Sequence, residues 1–476
     1  MLENGLLNNG FLLAGKWTSG RAQPIHSPYN GAQIRSVHMA DKQALQSAIA
    51  SADQAFRVTR KIPAHERQRV LRAVSEGIRS HRDDFARTMA LEAGKPLKAA
   101  RIEVERAIFT FALAAEESVR ITGEVLPMDL QVATEDRWGM VRRFPVGPVS
   151  AITPFNFPLN LVAHKVAPAM AAGCSVVLKP APQTPFCALM LGELVRQAGW
   201  PAGGLSILPL DNEDADALIC DDRLKVLSFT GSSRVGWQLK AKSGKKRVLL
   251  ELGGNAAVLV HHDADLEAAA DRCAVGGFSY AGQSCISVQR ILVQQHVYKA
   301  FMDLLVERVE ALRIGDPLDE TTDVGPMIRE SDAKRAESWI REAVGSGAKL
   351  LCGGERRGST LMPAVLTGTT PEMKVNCEEI FAPVVTLEAY DDAKEALEVV
   401  NDSPYGLQAG IFTNDAGLIF RAYEELEVGG LIVNDVPTFR IDHMPYGGVK
   451  NSGLGREGVR YAIEEMTERK LLVMRS

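Results

Sequence analysis

The sequence predicts an α/β protein built from two doubly wound, mainly parallel sheets. Short apolar runs alternate with helical patterns from about residue 149 onward, beginning with Val149–Ile152. A second series of the same kind starts after Gly253-Gly254 and ends near Gly430–Val433. Strands that alternate with helices form parallel sheets, which bind ligands at the carboxyl ends of their strands. Two α/β domains that meet near residue 252 are the simplest account.

Each series predicts its elements from local periodicity. The first series predicts strands at 149–152, 174–178, 205–208 and 226–229, with helices at 159–170, 186–197 and from Ser232. Three amphipathic patterns upstream predict helices packed around this sheet, at 41–57, 63–81 and 82–118. The second series predicts strands at 257–260, 290–293 and 430–433, with helices at 264–280 and 297–312.

Two segments that alternate apolar and polar residues, 136–143 and 470–474, have no obvious place in either sheet. An exposed strand edge must be covered, so we expect these segments to pair with another subunit.

Composition excludes several classes of protein. The chain has 476 residues, with 54 basic against 59 acidic side chains, which indicates a folded protein and gives no electrostatic pattern for nucleic acid or an anionic membrane. The seven cysteines are scattered without a Cys-x-x-Cys pair, which argues against a disulfide framework and a metal cluster. The N-terminal apolar patch is too short for a signal peptide, and polar residues interrupt the longest apolar region. We expect a cytoplasmic protein without a metal.

Cys285 is a candidate nucleophile. Its neighbours Gly282-Gln283-Ser284 are small or polar and would leave the sulfur accessible. A helix beginning here would lower the thiol pKa and favour the thiolate. The alternative is that Cys285 is an ordinary small buried residue.

Glu251 and Asn156 each follow an apolar strand. A carboxylate before Gly253-Gly254 would sit in a low-dielectric cleft that raises its pKa toward that of a general base. Asn156, between two prolines, could stabilise an oxyanion with its amide. A solvent-facing strand-end glutamate and a turn asparagine are the simpler alternatives.

Two further features could meet a nucleotide. Phe229-Thr230-Gly231-Ser232 is a strand, a glycine turn and a helix start, where backbone N–H groups can hold a phosphate. It is neither the Gly-x-Gly-x-x-Gly fingerprint nor a Walker loop, so it is weak alone. Lys179 ends a predicted strand and could contact a nucleotide or solvent.

Taken together and in this order, these motifs resemble the aldehyde dehydrogenase superfamily along essentially the whole chain. The motifs that carry the resemblance are Pro154-Phe155-Asn156-Phe157-Pro158, Leu178-Lys179-Pro180, Phe229-Thr230-Gly231-Ser232, Glu251-Leu252-Gly253-Gly254, Gly282-Gln283-Ser284-Cys285, Glu378-Glu379-Ile380-Phe381 and Pro445-Tyr446-Gly447-Gly448 with Ser452-Gly453. The resemblance is strongest to the lactaldehyde and non-phosphorylating glyceraldehyde-3-phosphate dehydrogenase branch.

The resemblance implies a mechanism. Cys285 would attack the aldehyde, Asn156 would stabilise the oxyanion, and Glu251 would activate water to hydrolyse the thioester. Cofactor contacts are implied for Thr153, Pro154, Phe155, Lys179, Gly231, Ser232, Leu252, Gly253, Glu379 and Phe381. No metal is implied.

The resemblance also implies a domain organisation. A Rossmann-like cofactor domain would comprise residues 1–122 and 146–252, and a catalytic domain residues 253–445. Residues 123–145 and 460–476 would form a small β oligomerisation element, giving a homodimer or homotetramer.

Departures from the family pattern bear on cofactor and substrate. Many relatives that prefer NAD carry glutamate where this chain has Pro182, so the cofactor is expected to be NAD or NADP. The branch places Arg106 and Arg440 toward the aldehyde tunnel, and His164 and Ser284 stand where some relatives carry anion-binding arginines. We therefore expect a short polar aldehyde, hydroxylated or singly anionic, as the substrate.

Three alternatives remain at this level. A coenzyme-A-acylating dehydrogenase would generally lack Glu251. A non-catalytic binding or structural protein need not keep Cys285 and Asn156. A thiol hydrolase needs a histidine near the cysteine, and His164 is the candidate.

Overall fold

In the computed structural model, which describes residues 5–475, two large sheets with helices on their faces confirm the predicted α/β architecture. The predicted ranges 1–122 and 460–476 include residues 1–4 and 476, which lie outside the described residues. None of the helices between residues 5 and 475 is long and apolar enough to cross a membrane.

The first sheet has eight strands, of which the central five are parallel. In spatial order the strands are Lys16–Thr18, Phe11–Leu13, Leu205–Ile207, Val176–Lys179, Val149–Ile152, Val226–Thr230, Arg247–Glu251 and Gly453–Leu454. The direction in which successive strands are added reverses between Val149–Ile152 and Val226–Thr230. At such a switch point the connecting loops diverge and leave a crevice outside the carboxyl ends.

The second sheet has seven strands, parallel except for one edge strand. They are, in spatial order, Lys349–Cys352, Ala364–Thr367, Val384–Tyr390, Val288–Gln294, Ala256–Val260, Gln408–Phe412 and Gly430–Val433. The chain passes from Glu251 at the end of the first sheet to Ala256 in the second through the short connection 252–255. The carboxyl edge of one sheet therefore meets the amino edge of the other.

Fifteen α-helices lie in the described part of the chain. They are α1 (Lys42–Thr59), α2 (Ala64–Ser80), α3 (Arg82–Ala93), α4 (Leu97–Ser118), α5 (Asn160–Ala172), α6 (Phe186–Gln197), α7 (Asp216–Cys220), α8 (Ser233–Lys242), α9 (Leu266–Phe278), α10 (Tyr298–Glu310), α11 (Glu330–Gly345), α12 (Lys374–Cys377), α13 (Ala393–Asn401), α14 (Ala416–Glu425) and α15 (Val459–Glu465). The helical pattern predicted over 82–118 forms two helices. Gly94 is left-handed at φ +67°, and Pro96 lacks the N–H that would continue α3.

The two segments left over from the sequence pattern pair with each other, so the expectation that both pair with another subunit is wrong for 136–143, whose strand has a neighbour from this chain on each side. Strand Thr467–Arg475 runs antiparallel to Arg137–Pro145, which also pairs with Glu124–Pro127. Leu471 and Leu472 on the outer strand are about half exposed, at 50% and 47%. This three-stranded sheet thus presents an apolar edge strand. Three two-stranded sheets complete the described strands, Arg21–His26 with Gln33–Met39, Arg356–Arg357 with Thr360–Leu361, and Tyr405–Gly406 with Val449–Lys450.

A buried carboxylate on α4 fixes the start of α5. Glu103 Oε1 accepts hydrogen bonds from the backbone N–H groups of Leu159 and Asn160, both at 3.0 Å. These N–H groups lie at the N-terminus of α5, where backbone donors have no partner within the helix. Glu103 thereby holds the turn 153–158 at the switch point.

Lys95 balances the charge of Glu103. Its ammonium donates to Glu103 Oε2, and both side chains are almost fully buried. The ammonium also lies 3.7 Å from the ring centroid of Phe157 and 4.5 Å from that of Tyr280, which precedes the Cys285 segment. One ion pair thus contacts both segments that carry candidate catalytic residues.

The Glu103→Gln variant is expected to lower the free energy of unfolding by about 3 kcal/mol, because it leaves the Lys95 ammonium buried without a counter-charge. Urea denaturation followed by tryptophan fluorescence measures this change. The control is Glu105→Gln on the exposed face of the same helix. Equal stability of the two variants would contradict the structural role of the ion pair.

Candidate active site

The candidate site lies where the carboxyl ends of the first sheet meet the amino ends of the second. A cleft of about 680 Å³ runs along the strand ends that carry Thr153, Lys179 and Gly231. It adjoins a cavity of about 310 Å³, since Pro154, Phe155, Thr230, Gly231 and Ser232 line both. The cavity wall contains all three predicted catalytic residues, Cys285, Glu251 and Asn156.

A left-handed turn leads the chain to Cys285. Tyr280, Ala281 and Gly282 have φ values of +51°, +53° and +66°. A Cβ at Gly282 would lie 2.1 Å from the carbonyl oxygen of Ala382, so this turn requires glycine there. The turn places the half-buried Cys285 in the cavity wall.

No helix begins at Cys285, so the prediction that a helix terminus lowers the pKa of its thiol is wrong. The chain continues from Cys285 into the strand Val288–Gln294. Burial raises the pKa of the Cys285 thiol to about 11, although a hydrogen bond with Tyr446 and the charge of Arg440 act to lower it. The distance from Cys285 Sγ to Tyr446 Oη is 3.1 Å. The groups that favour the thiolate are therefore the side chains of Tyr446 and Arg440, and not a helix terminus.

Asn156 is tied to the Cys285 segment. Its side chain is buried, and Nδ2 donates to the carbonyl oxygen of Gln283 at 3.0 Å. An amide nitrogen carries two hydrogens, so the second is free for an oxygen bound beside Cys285. The arrangement fits an oxyanion site.

Glu251 ends its strand as a buried carboxyl with one oxygen, Oε2, that has no hydrogen-bond partner. Burial raises its pKa well above the usual range, and the nearby negative charge of Glu457 raises it further. Arg440 and Lys165 act in the opposite direction. A carboxyl group in this environment is suited to accept a proton from water.

The cleft offers unpaired polar groups to a ligand. Thr153 Oγ1 and Thr230 Oγ1 are buried without hydrogen-bond partners. Ser232 stands at the N-terminus of α8 and makes no capping bond with its side chain, and Gly231 precedes it. Open backbone N–H groups at a helix start suit a phosphate. These features fit the pyrophosphate and ribose of a dinucleotide.

Lys179 and Pro182 line the same cleft. Its Nζ donates to Asn212 Oδ1 at 3.0 Å. Burial lowers the pKa of Lys179 to about 8, although the charge of Asp211 opposes this.

Glu379 and Phe381 line the catalytic cavity, together with Leu252 and Gly253. Glu379 Oε1 accepts from the Gly254 N–H at 3.0 Å. Burial raises the pKa of Glu379 to about 7, while this N–H and the charge of Arg335 lower it. The Phe381 ring packs edge-on against Phe155, with 6.0 Å between centroids.

Three of the four predicted substrate residues, Arg106, Ser284 and Arg440, line the cavity. His164 does not. It is buried behind the cavity, with Nε2 2.7 Å from Asp442 Oδ1 and Nδ1 3.0 Å from Glu457 Oε2.

The two arginines are held by buried carboxylates. Arg106 Nη2 and Nε bond to Asp442 at 2.6 and 3.3 Å, and Arg440 Nη2 bonds to Glu457 Oε2 at 3.0 Å. Arg440 Nε is buried without a partner. The Arg106 side chain is 23% exposed and lines the cavity, whereas the side chain of its partner Asp442 is 2% exposed. A ligand in the cavity therefore meets the positive charge of Arg106 rather than the negative charge of Asp442.

Several cavity or support residues were not predicted from sequence. Arg335 and Asn160 line the cavity, and Asp442 and Glu457 support its arginines. The motif Pro445-Tyr446-Gly447-Gly448 was a signal for Tyr446, but nothing in the sequence placed its hydroxyl beside Cys285. The carboxylates had no such signal, because their partners are distant in the chain.

Comparison with known proteins agrees with this geometry. Residues 17–472 match the family described as "Aldehyde dehydrogenase family". The 3-sulfolactaldehyde dehydrogenase of Priestia megaterium is 46% identical over 467 residues, 98% of each chain. The structure of aldehyde dehydrogenase 21 from Physcomitrella patens, in complex with the reaction product succinate, is 46% identical with a TM-score of 0.97 and covers 98% of each chain.

A third comparison includes a cofactor. The structure of a glyceraldehyde-3-phosphate dehydrogenase from Methanocaldococcus jannaschii, complexed with NADP, is 38% identical with a TM-score of 0.92 and covers 96% of this chain and 100% of that one. The family match and the coverage of these relatives show that the chain belongs to the aldehyde dehydrogenase family and is an NAD(P)-dependent aldehyde dehydrogenase.

Proposed function

We propose that this dehydrogenase oxidises a short, singly anionic aldehyde to the carboxylic acid. The observation that carries the proposal is the pair of arginines, Arg106 and Arg440, in the wall of the cavity that holds Cys285. The Arg106 side chain is 23% exposed, so its guanidinium can donate charge-assisted hydrogen bonds to an anionic group in the cavity. One relative is named for 3-sulfolactaldehyde, whose sulfonate is anionic, and another was crystallised with its reaction product succinate, a short dicarboxylate.

In the proposed mechanism, the Cys285 thiolate forms a bond to the carbonyl carbon, and the carbonyl π electrons move to oxygen. The Asn156 amide and the Cys285 backbone N–H stabilise that oxyanion. NAD or NADP, when bound in the cleft, supplies the hydride acceptor. After the thioester has formed, Glu251 takes a proton from water, the water oxygen attacks the carbonyl carbon, and the C–S bond breaks to release the acid.

The cofactor contacts assigned by resemblance are consistent with this cleft. We infer that Lys179 and Glu379 hold the two riboses, and that Gly231 and Ser232 approach the pyrophosphate. The remaining contacts would come from Thr153, Pro154, Phe155, Leu252, Gly253 and Phe381.

We further propose that the cleft accepts both NAD and NADP. Pro182 carries no charge that would repel a 2′-phosphate, and the ammonium of Lys179 lines the same cleft. Asp211 and Asp216 on the same wall would weaken a phosphate contact without abolishing it.

The alternative functions are less consistent with the site. A coenzyme-A-acylating enzyme has no use for Glu251 as a base. A thiol hydrolase would need a histidine at the sulfur, whereas His164 contacts Asp442 and Glu457. A non-catalytic protein would not require the convergence of Cys285 and Asn156 on one cavity.

We propose that the chain is a homodimer or homotetramer. The outer strand Thr467–Arg475 has a free edge with half-exposed leucines, which a second copy could cover. On this proposal, residues 123–145 and 460–476 form the oligomerisation element, 1–122 with 146–252 the cofactor domain, and 253–445 the catalytic domain. The molar mass in solution, from light scattering, tests the assembly.

The seven unpaired cysteines also support a cytoplasmic location.

The Glu251→Gln variant is expected to release one burst of reduced cofactor per active site and then turn over 10²–10⁴-fold more slowly, on the order expected for loss of a general base. Stopped-flow absorbance of the reduced cofactor measures both phases. Glu105→Gln is the control and should keep full turnover. Undiminished steady turnover of Glu251→Gln would refute the assignment of the base. If added coenzyme A restored turnover and gave an acyl-coenzyme-A product, the acylating alternative would be favoured.

The Arg106→Gln variant is expected to raise KM about 10-fold to 100-fold for anionic aldehydes, since a charge-assisted hydrogen bond is lost, and to change KM little for lactaldehyde. A panel of sulfolactaldehyde, succinate semialdehyde, lactaldehyde and a long aliphatic aldehyde, each with NAD and NADP, measures this. Arg101→Gln, exposed on the same helix, is the matched control. A wild-type preference for the long aliphatic aldehyde would overturn the substrate proposal.

The ratio of kcat/KM with NADP to that with NAD is expected to fall as the pH rises from 7 to 9. Burial lowers the pKa of Lys179 to about 8, so its ammonium loses its proton across this range and attracts a 2′-phosphate less. Lys179→Met should show a low ratio that does not change with pH. A constant wild-type ratio would contradict the assignment of Lys179 to the phosphate.

A further inference from the structure

The hydroxyl of Tyr446 has no role in the mechanism so far, although it lies 3.1 Å from the Cys285 sulfur. Tyr446 is buried, with 2% of its surface exposed, and belongs to the segment Pro445-Tyr446-Gly447-Gly448. It is the one side-chain hydrogen-bond partner of this sulfur among residues 5–475. A buried phenol with this contact can act directly on the nucleophile.

Arg440 is stacked on the same ring. Its guanidinium carbon lies 3.5 Å from the Tyr446 ring centroid, and Glu457 holds its Nη2 at 3.0 Å. A cation over an aromatic face withdraws electron density from the ring, which makes the phenol O–H a stronger hydrogen-bond donor. The positive charge of Arg440 is thus transmitted to the sulfur through the phenol.

We propose that Tyr446 is a further catalytic residue, which donates a hydrogen bond to the Cys285 thiolate and, polarised by Arg440, favours that thiolate over the thiol. This inference rests on the proposed role of Cys285 as the nucleophile. When the thiol ionises, its proton passes to solvent and the phenol O–H turns toward the sulfur. The hydrogen bond to a charged sulfur is stronger than any bond that the neutral thiol makes, so the contact favours ionisation.

The charges around the sulfur explain why such a donor is needed. Burial raises the pKa of the Cys285 thiol, and the carboxylates of Glu379, from the loop after α12, and Glu251, from the end of its strand, raise it further. Tyr446 and Arg440, both from the loop between the strands Gly430–Val433 and Val449–Lys450, lower it. The pKa of Tyr446 itself lies well above its usual value because of burial, so the phenol keeps its proton and stays a donor.

The test is the pH dependence of Cys285 alkylation by iodoacetamide, a neutral reagent, in the enzyme without substrate. Mass spectrometry of the Cys285 peptide separates this thiol from the other six. In Tyr446→Phe the midpoint of the alkylation rate is expected to rise by about one pH unit, which corresponds to about tenfold less thiolate below the midpoint. Phenylalanine has the same ring and the same charge, so the cavity retains its shape.

Two further variants complete the test. Tyr390→Phe is the matched control, because its buried hydroxyl contacts His261 Nδ1 in the second sheet, and its midpoint should equal that of the wild type. Arg440→Lys keeps the charge for Glu457 but removes the stacked plane, and its midpoint should rise by less than that of Tyr446→Phe. An unchanged midpoint in Tyr446→Phe overturns this inference alone. Continued formation of NAD(P)H by Cys285→Ala would instead overturn the proposed function.

Discussion

The buried carboxylate of Glu457 is the charge on which the catalytic cavity depends. Lys165 Nζ, His164 Nδ1 and Arg440 Nη2 all lie within 3.2 Å of its two oxygens. Burial opposes ionisation of Glu457, but Lys165 and His164 outweigh it and hold its pKa well below the usual range. A fixed negative charge at this point keeps Arg440 stacked on Tyr446. The same charge raises the pKa of Glu251, so one carboxylate influences both the nucleophile and the base.

Local pattern was sufficient to predict the elements that carry the site. The strand Val149–Ile152 and the helix Phe186–Gln197 have the bounds predicted for them, because hydrophobic periodicity is a property of neighbouring residues. The helical pattern over 82–118 was continuous in hydrophobicity, yet Gly94 and Pro96 interrupt the helix. That interruption was readable in principle, since both residues are helix breakers.

The polar support of the cavity could not be predicted in the same way. His164 was placed at the substrate by resemblance, whereas its imidazole bridges Asp442 and Glu457, which are 278 and 293 residues away in the chain. Only the tertiary fold brings such partners together, so no local sequence pattern marks them. The absence of the predicted helix at Cys285 also has a cause that is distant in the chain. The left-handed turn at 280–282 depends on the backbone of Ala382, which packs against Gly282. The net charge of the chain, likewise, could not predict that three arginines, Arg106, Arg335 and Arg440, lie in one cavity wall.

The connection between the two sheets has a mechanical consequence. Glu251 ends one sheet and Ala256 begins the other, and a Cβ at Gly254 between them would lie 2.3 Å from the carbonyl oxygen of Cys285. The link between the sheets therefore packs directly against the Cys285 backbone, and a side chain at Gly254 would displace the segment that carries the nucleophile. The backbone that leads from the base and the backbone that carries the nucleophile are in contact, so this contact sets the spacing of the two reacting groups.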